Sequence, residues 1–518
     1  MSAKRKKTKM KDKVKKGKSK AAFDSAANPD EAAKTSDAKS LPQDKFWIHS
    51  GRGLQAMTNI DLSRSPGPVN RSVFGACIMW PSNSEVAEGV PDPKSGRRLK
   101  HEAIEASMSF LKGGSVRLWA RSTPDWDDWW IDFCDKVGPG RRYIFADWVT
   151  HPDEPIYYRS ENDNNLFPHQ TPQAFGDFVR RLNRQAHPNH PNGLGIEFWE
   201  LWNEPVFPRS GAWPAEDHAR FCVDAARRMK EADPSIKIGP HILHDPEWNE
   251  RTLSYMAEHG KGLIDFIVNH YYDTLWFQQW DKYGSYIGRV AYSTEMELRL
   301  RRDMDMVRRL GGGRWEFAVT EWNNHPQRYD WPGESTRDMA VALFQASTLR
   351  VFMKEGVAAA QVFALRSNSF GLFKDEAAHE KYPTFHVFDL YGRYFRGEML
   401  VENTFSPSFV WDWETTREGV TTRKAPPRQV PYVDILACRD GQTVVLMAIN
   451  KHPDEAIRLK IGAVGGTFIS QKAEITTLSS DDKEGTEAIL REATADIGSP
   501  SGVELPPHSF SAIRIGKG

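Results

Sequence analysis

Residues 195–202, GIEFWELW, indicate the fold class of this chain. The run is predominantly apolar and lacks the regular alternation of polar and apolar side chains that a half-exposed strand shows. A polar loop follows it, and residues 215–232, AEDHARFCVDAARRMKEA, then have the length and pattern of an amphipathic helix. A strand buried on both faces and followed by a helix is typical of a parallel sheet that helices cover.

The same unit of apolar run, polar loop and helical stretch recurs between residues 70 and 395. The other runs are 73–80, 115–120, 142–149, 236–243, 263–272, 315–322 and 358–365, and further helices are predicted at 174–186 and 337–356. Eight strand–helix units close a (β/α)8 TIM barrel, which is the predicted α/β fold. A doubly wound open sheet is the competing fold, but no glycine-rich phosphate-binding turn follows the first run.

Two of the predicted loops are unusually long. They lie at 149–170, after the third run, and at 273–294, after the sixth. Ordered loops of such length are generally functional. In a barrel the loops that follow the strands open on the C-terminal face, so we expect the functional site at that face.

The sequence pattern changes after residue 398 to short alternating runs separated by turn residues. These runs, at 442–450, 456–462, 473–478 and 505–515, predict a C-terminal antiparallel β-sandwich. The predicted organisation has four parts. They are a disordered basic tail at 1–40, a segment at 41–69 that is a candidate for joining the sandwich, a catalytic barrel at 70–397, and the sandwich at 398–518.

The charge of the chain is unevenly distributed. Its net charge is zero, yet the first 20 residues carry eleven lysines and arginines against one aspartate, which leaves 58 basic and 68 acidic residues in the rest. The tail has no apolar stretch, so it is neither a secretion signal nor a membrane helix, and we expect a cytoplasmic protein without a membrane partner. A solvated terminus or a misassigned start codon is the plainer interpretation of the tail, and charge-driven binding of nucleic acid is the alternative.

Two glutamates lie at the ends of apolar runs. Glu204 lies in 198-FWELWNEP-205 and Glu321 in 317-FAVTEWNN-324, on the fourth and seventh predicted strands. Cleavage of a glycosidic bond requires one carboxyl group that protonates the leaving oxygen and another that meets the developing oxocarbenium ion. The plainer interpretation is that each glutamate is a loop carboxylate paired with an arginine, but the placement of both at strand ends favours the catalytic one.

The motifs WNEP and TEWN resemble those of the retaining glycoside hydrolases of clan A, with family 39 nearest and the family 51 α-L-arabinofuranosidases next. The resemblance covers about residues 70–515, because those families also carry a C-terminal β-sandwich that ends on a motif similar to LPPHSFSAIRI, 505–515. It implies that Glu204 is the acid/base, that Glu321 is the nucleophile and that Asn203 binds a sugar hydroxyl.

Three further residues match positions of the clan. Arg117 on the second strand matches an arginine near the nucleophile, and His270 and Tyr272, in 269-NHYY-272, match a sixth-strand pair whose tyrosine contacts the nucleophile. Arg117 and Tyr272 would keep Glu321 ionised. The plainer interpretations are an interior ion pair for Arg117 and a packed ring for Tyr272.

The acid has the opposite requirement, because it must hold its proton near neutral pH. Glu204 is expected near Trp199 and Trp202 and opposite a second carboxylate. Both surroundings disfavour the charged form of a carboxyl group.

The sequence departs from the clan at the end of the eighth strand, where a tryptophan is common. Residues 361–368, QVFALRSN, contain none, so Phe363 is a candidate replacement and Arg366 is a second side chain that can reach the sugar. Further candidates for contact with the substrate are His151, Trp276 and Trp322. The departure leaves the identity of the sugar open.

A metal-dependent barrel hydrolase is an alternative, because His151, His241, His244 and His270 all follow or end strands. No HxH motif follows the first strand, and no lysine or aspartate is placed to complete a two-metal site. Hydrogen bonds to sugar hydroxyls explain these histidines as well, so we predict no cofactor. The four cysteines have no metal-binding or redox spacing and are expected to be buried free thiols.

The predicted function is therefore a retaining glycoside hydrolase that cleaves O-glycosidic bonds by double displacement. It is expected to be β-xylosidase-like or to act on a related plant or algal polysaccharide, so its predicted partner is an oligo- or polysaccharide. A carbohydrate-binding pseudoenzyme is the second alternative; it would normally have lost one carboxylate, and both are present here. A nucleic-acid-associated protein has only the tail in its favour.

Overall fold

A computed structural model describes residues 53–78, 101–120, 131, 134–135, 142–147, 171–205, 213–243, 245–272, 286–324, 337–366, 370–374, 378–417 and 420–516. The structural statements below concern these residues. The basic tail predicted at 1–40 lies outside them, as do the long loop predicted at 149–170 and the first part of the loop predicted at 273–294.

Eight parallel strands form the barrel. The first strand of the chain, β1 (Leu54–Asp61), precedes them, and they are β2 (Gly75–Ile78), β3 (Ser115–Ala120), β4 (Arg142–Asp147), β5 (Phe198–Leu201), β6 (Lys237–Pro240), β7 (Phe266–Tyr272), β8 (Glu316–Asn323) and β9 (Ala359–Val362). They pair in the order β6-β5-β4-β3-β2-β9-β8-β7. The ring closes between β6 and β7, where the Ile242 N–H donates to the Val268 carbonyl at 2.8 Å. Each strand overlaps one of the predicted apolar runs.

Helices cover the barrel. They are a 3-10 turn (Arg71–Val73), α1 (His101–Ala106), α2 (Met108–Leu111), α3 (Pro172–Arg184), α4 (Ala215–Ala232), α5 (Pro246–His259), α6 (Tyr286–Gly311), α7 (Met339–Glu355) and α8 (Pro383–Tyr394). The cap of α3 illustrates how they start: the Thr171 side chain accepts the Ala174 N–H. The prediction of a loop up to residue 294 is wrong, because α6 begins at Tyr286 and buries Tyr286 and Val290. Among the described residues, no helix is both long and apolar enough to cross a membrane.

The C-terminal part is all β. Its strands are β10 (Glu398–Phe405), β11 (Ser408–Arg417), β12 (Val420–Pro431), β13 (Val433–Asp440), β14 (Thr443–Asn450), β15 (Ile457–Val464), β16 (Lys472–Ser479), β17 (Ile489–Asp496), β18 (Val503–Leu505) and β19 (Ser509–Ile515). Strand β10 lies between β1 and β13, so that nine strands pair in the order β17-β16-β19-β14-β13-β10-β1-β15-β18. Strands β11 and β12 form a separate hairpin. A second hydrophobic core, which includes Ile60, Leu446 and Leu459, fills this part. The predicted fold class, a barrel followed by a β-sandwich, is confirmed.

Candidate active site

Glu204 lies in the turn that leaves the fourth barrel strand, three residues after β5 ends at Leu201. Its main chain has φ +45°, and that of Trp202 has φ +69°, a region that residues with a Cβ rarely adopt. Its carboxyl Oε1 lies 3.1 Å from Nδ1 of His270, and the residue is 8% exposed. The turn thus brings the carboxyl group of Glu204 against the sixth barrel strand.

Glu321 lies within β8, at a shift in register between β7 and β8 that pairs it with His270. Such irregularities re-aim side chains next to functional sites. The Arg117 guanidinium donates to Oε1 of Glu321, and the Tyr272 hydroxyl donates to Oε2 at 2.6 Å. Both carboxylate oxygens therefore have donors from the protein, which fix the orientation of this side chain.

The two glutamates lie close together. One carboxylate oxygen of Glu204, one of Glu321 and one ring nitrogen of His270 all lie within 4.8 Å of one another. The carboxyl groups of retaining glycosidases are about 5–5.5 Å apart, whereas those of inverting enzymes are about 6.5–9.5 Å apart and leave room for a water molecule. The close approach of one oxygen of each glutamate favours the shorter separation, that of a retaining pair.

Arg117 lies beside Glu321, as expected, and it is fully buried. Its Nε and Nη2 donate to the two carboxylate oxygens of Glu200, each at 2.8 Å, and Nη2 also donates to Oδ1 of Asn203 at 2.8 Å. Burial opposes the charge, but the attraction of Glu200 and Glu321 outweighs it and raises the pKa of Arg117. Arg117 therefore holds the side chains of Glu200, Glu321 and Asn203 in position.

Glu200 is a site residue that sequence reasoning missed. It lies within β5 and is 1% exposed. Burial acts to raise the pKa of Glu200, but the charge of Arg117 and hydrogen bonds from His270 and Arg117 outweigh it, so the pKa is lowered. The signal in the sequence was a carboxylate inside a buried strand, four residues before Glu204, since such a group needs a charged partner.

His270 joins the two glutamates. Its Nδ1 lies 3.1 Å from Oε1 of Glu204 and 3.6 Å from Oε2 of Glu321. Burial disfavours its charged form, but the attraction of Glu321 and hydrogen bonds with Glu200 and Glu204 outweigh it and raise the pKa of His270 to about 9. His270 is therefore protonated at neutral pH, and its positive charge lies between the carboxyl groups.

The tryptophans expected around Glu204 pack elsewhere. The Trp199 ring lies edge-on to Phe178 of α3, with ring centroids 5.3 Å apart. Trp202 lies edge-on to Trp213 at 5.1 Å. A charged imidazole, that of His270, is in contact with the Glu204 carboxyl group.

An aromatic cluster lies beside the nucleophile candidate. Phe363, the candidate replacement for the eighth-strand tryptophan, has its ring centroid 6.2 Å from that of Tyr272. The ring of Phe370 is 6.1 Å from Tyr272 and 5.4 Å from Phe363. Arg366, the other candidate at the end of the eighth strand, is half-buried.

The prediction that Trp322 contacts the substrate is wrong. It is fully buried, and its ring lies edge-on to Phe352 of α7 at 5.2 Å. Consecutive side chains of a strand point to opposite faces, so the inward direction of Glu321 sends Trp322 outward beneath the helices. The other two candidates, His151 and Trp276, lie outside the described residues.

Two sets of three side chains have the spacing of metal ligands. They are Glu204, His270 and Glu321, and Glu200, His241 and His270. Both sets share His270. A metal would need a free ring nitrogen of this histidine, but the raised pKa of His270 keeps that ring protonated. The guanidinium of Arg117, which is paired with Glu200, would compete with a cation for the carboxylate oxygens of Glu200. That the site needs no metal stays a prediction.

Comparison with known proteins places the chain near arabinofuranosidases. No family model matches the sequence. The intracellular exo-α-(1→5)-L-arabinofuranosidase of Streptomyces lividans is 20% identical over 383 residues, with 65% of this chain and 53% of the relative covered. The chain thus spans about half the length of the curated relative it matches.

The solved structures match a larger share of this chain than the curated relative does. The α-L-arabinofuranosidase of Thermotoga maritima, solved with arabinose, has a TM-score of 0.67 at 17% identity, over 90% of this chain and 100% of that one. The GH51 arabinofuranosidase of Xanthomonas axonopodis pv. citri has a TM-score of 0.67 at 14% identity, over 89% and 100%. This chain has the fold of these arabinofuranosidases. At such identities the likeness establishes the fold, and the chemistry must be argued from the site.

Proposed function

We propose that this protein is a retaining glycoside hydrolase of clan A that cleaves O-glycosidic bonds by double displacement. The observation that carries the proposal is the pair of Glu204 and Glu321, of which one carboxylate oxygen each lies within 4.8 Å of the other. The fold shared with arabinofuranosidases supports it. The donors from Arg117 and Tyr272 support the assignment of Glu321, rather than Glu204, as the nucleophile.

In the first step Glu321 attacks the anomeric carbon while Glu204 protonates the leaving oxygen. The proton reaches Glu204 from His270, whose protonated imidazole lies 3.1 Å from the Glu204 carboxyl oxygen. In the second step Glu204 takes a proton from water, and that water releases the glycosyl group from Glu321. Each step inverts the configuration at the anomeric carbon, so the product has the same anomeric configuration as the substrate.

Two further residues are proposed to contact the sugar. Asn203 has its Oδ1 held by Arg117, which leaves its Nδ2 to donate to a sugar hydroxyl. Phe363, next to Tyr272, offers the face of its ring to the C–H face of a sugar, as tryptophan does in the clan, but it lacks the indole N–H donor.

We propose an α-L-arabinofuranosyl group as the sugar that is cleaved, from an oligo- or polysaccharide. The sequence motifs favour family 39 and a β-xyloside, whereas the solved structures that match over 89% of this chain include family 51 arabinofuranosidases. The curated relative is also an arabinofuranosidase by name. These likenesses therefore favour family 51 over family 39 as the source of the proposed sugar specificity.

The test is a screen of 4-nitrophenyl glycosides, with the Glu321→Gln variant beside the wild type to assign turnover to this site. We expect kcat/KM for the α-L-arabinofuranoside to exceed that for the β-D-xyloside by at least about tenfold, as pocket contacts commonly provide. A preference for the xyloside would contradict the proposed arabinofuranosyl specificity, while the proposed glycoside hydrolase activity would stand. Binding of arabino-oligosaccharides without hydrolysis of any glycoside would favour the pseudoenzyme.

A further inference from the structure

A histidine outside the matched clan positions holds the main chain of Glu204. The Glu204 N–H donates to Nδ1 of His241 at 2.6 Å, and the bond is buried. Glu204 has φ +45°, and a residue with a Cβ keeps such a conformation only where its surroundings fix it. The hydrogen bond to His241 is such a constraint, and it acts on the residue whose carboxyl group must reach the leaving oxygen.

His241 is itself firmly placed. It follows β6, and its own N–H donates to the carbonyl of Leu201, the last residue of β5, at 3.3 Å. Its carbonyl is 3.0 Å from Nε2 of His218, on α4. Burial lowers the pKa of His218 to about 4, so that ring is neutral and can donate from Nε2. The main chain of His241 is thus fixed to a neighbouring strand and to a helix.

The ring of His241 also packs against the other support of Glu204. Its centroid lies 4.1 Å from that of His270, at an interplanar angle of 49°. His270 in turn contacts the carboxyl oxygens of Glu204 and Glu321. One side chain therefore acts on Glu204 twice, through its main chain and through the imidazole at its carboxyl group.

From these contacts we infer that His241 is a positioning residue for acid catalysis, which aims the Glu204 carboxyl group at the leaving oxygen. The inference rests on the proposed function. Since Nδ1 accepts the Glu204 N–H, the ring is neutral there and carries its proton on Nε2. Phenylalanine keeps the ring and loses the acceptor, whereas asparagine loses the ring and keeps an acceptor near the position of Nδ1.

The experiment measures kcat/KM of wild type, His241→Phe and His241→Asn on aryl α-L-arabinofuranosides whose phenols range from acidic to weakly acidic. General acid catalysis is worth about 100- to 10,000-fold. We therefore expect His241→Phe to lose about 100-fold on the phenyl glycoside and less than about tenfold on the 2,4-dinitrophenyl glycoside, whose leaving group departs unaided. His241→Asn should recover much of the loss on the phenyl glycoside. His259→Phe, at an exposed position at the end of α5, is the matched control.

A loss that is equal for all leaving groups, or no loss, would overturn the role of His241 while the wild-type turnover leaves the proposed function standing. If the His241→Phe variant does not fold, as judged by thermal unfolding, His241→Asn decides. A loss on the phenyl glycoside that shrinks on the 2,4-dinitrophenyl glycoside supports the inference, and a uniform loss or no loss overturns it. Failure of the wild type to hydrolyse any of the 4-nitrophenyl glycosides of the screen, whatever their sugar, would overturn the proposed function and the inference together.

Discussion

Replacing Glu321 with glycine is expected to lower kcat by at least about 1,000-fold, because removal of a nucleophile leaves only binding and residual electrostatic stabilisation. The substitution also vacates a space faced by two donors, the Arg117 guanidinium and the Tyr272 hydroxyl. A small anion such as azide or formate can occupy that space and attack the anomeric carbon. We therefore expect partial recovery of activity in azide, with a glycosyl azide of inverted configuration as the product.

The control for this variant is Glu316→Gln, which changes an exposed glutamate at the start of the same strand. It should retain the activity of the wild type. A Glu321→Gly variant that folds and keeps more than about a tenth of the activity would remove Glu321 from its proposed role. A product of retained configuration in azide would point to another carboxylate as the nucleophile.

Replacing Glu204 with glutamine is expected to have the second largest effect, and the effect should depend on the leaving group. Glutamine is nearly isosteric but carries no proton to give, so kcat/KM should fall by about 100- to 10,000-fold for substrates with poor leaving groups. Glycosides of acidic phenols need no protonation and should lose far less in the first step. The slope of log kcat/KM against the pKa of the leaving phenol measures the difference.

Glu197→Gln is the matched control for Glu204→Gln, since Glu197 is exposed just before β5. Its slope should equal that of the wild type. If Glu204→Gln lost the same factor for every leaving group, Glu204 would not be the acid. Such a result would shift attention to His270, the other proton donor in contact with the pair.

Much of the fold follows from local patterns of the sequence. Each barrel strand is a short apolar run, because both of its faces are covered, and helix α4 was predicted with the bounds that the structure has, Ala215–Ala232. The two glutamates were found because each stands at the end of such a run. These features depend on residues that are neighbours in the chain.

The features that escaped prediction depend on contacts between distant residues. The partner of Glu200 is Arg117, 83 positions away, and only the closed barrel brings them together. Trp322 follows Glu321 directly and is a predicted contact of the substrate, yet its direction in the strand sends it beneath α7. The role of His241 depends on a main-chain N–H of another strand end, which no side-chain pattern reveals.

The central claim is double displacement by two opposed carboxyl groups, and the stereochemical course tests it most directly. The measurement is proton NMR of the first product that the wild type forms from an aryl α-L-arabinofuranoside in water containing methanol, since a methyl glycoside cannot mutarotate. A spacing within 4.8 Å predicts retention, so methyl α-L-arabinofuranoside should form first. Formation of the β anomer as the first product would contradict the account.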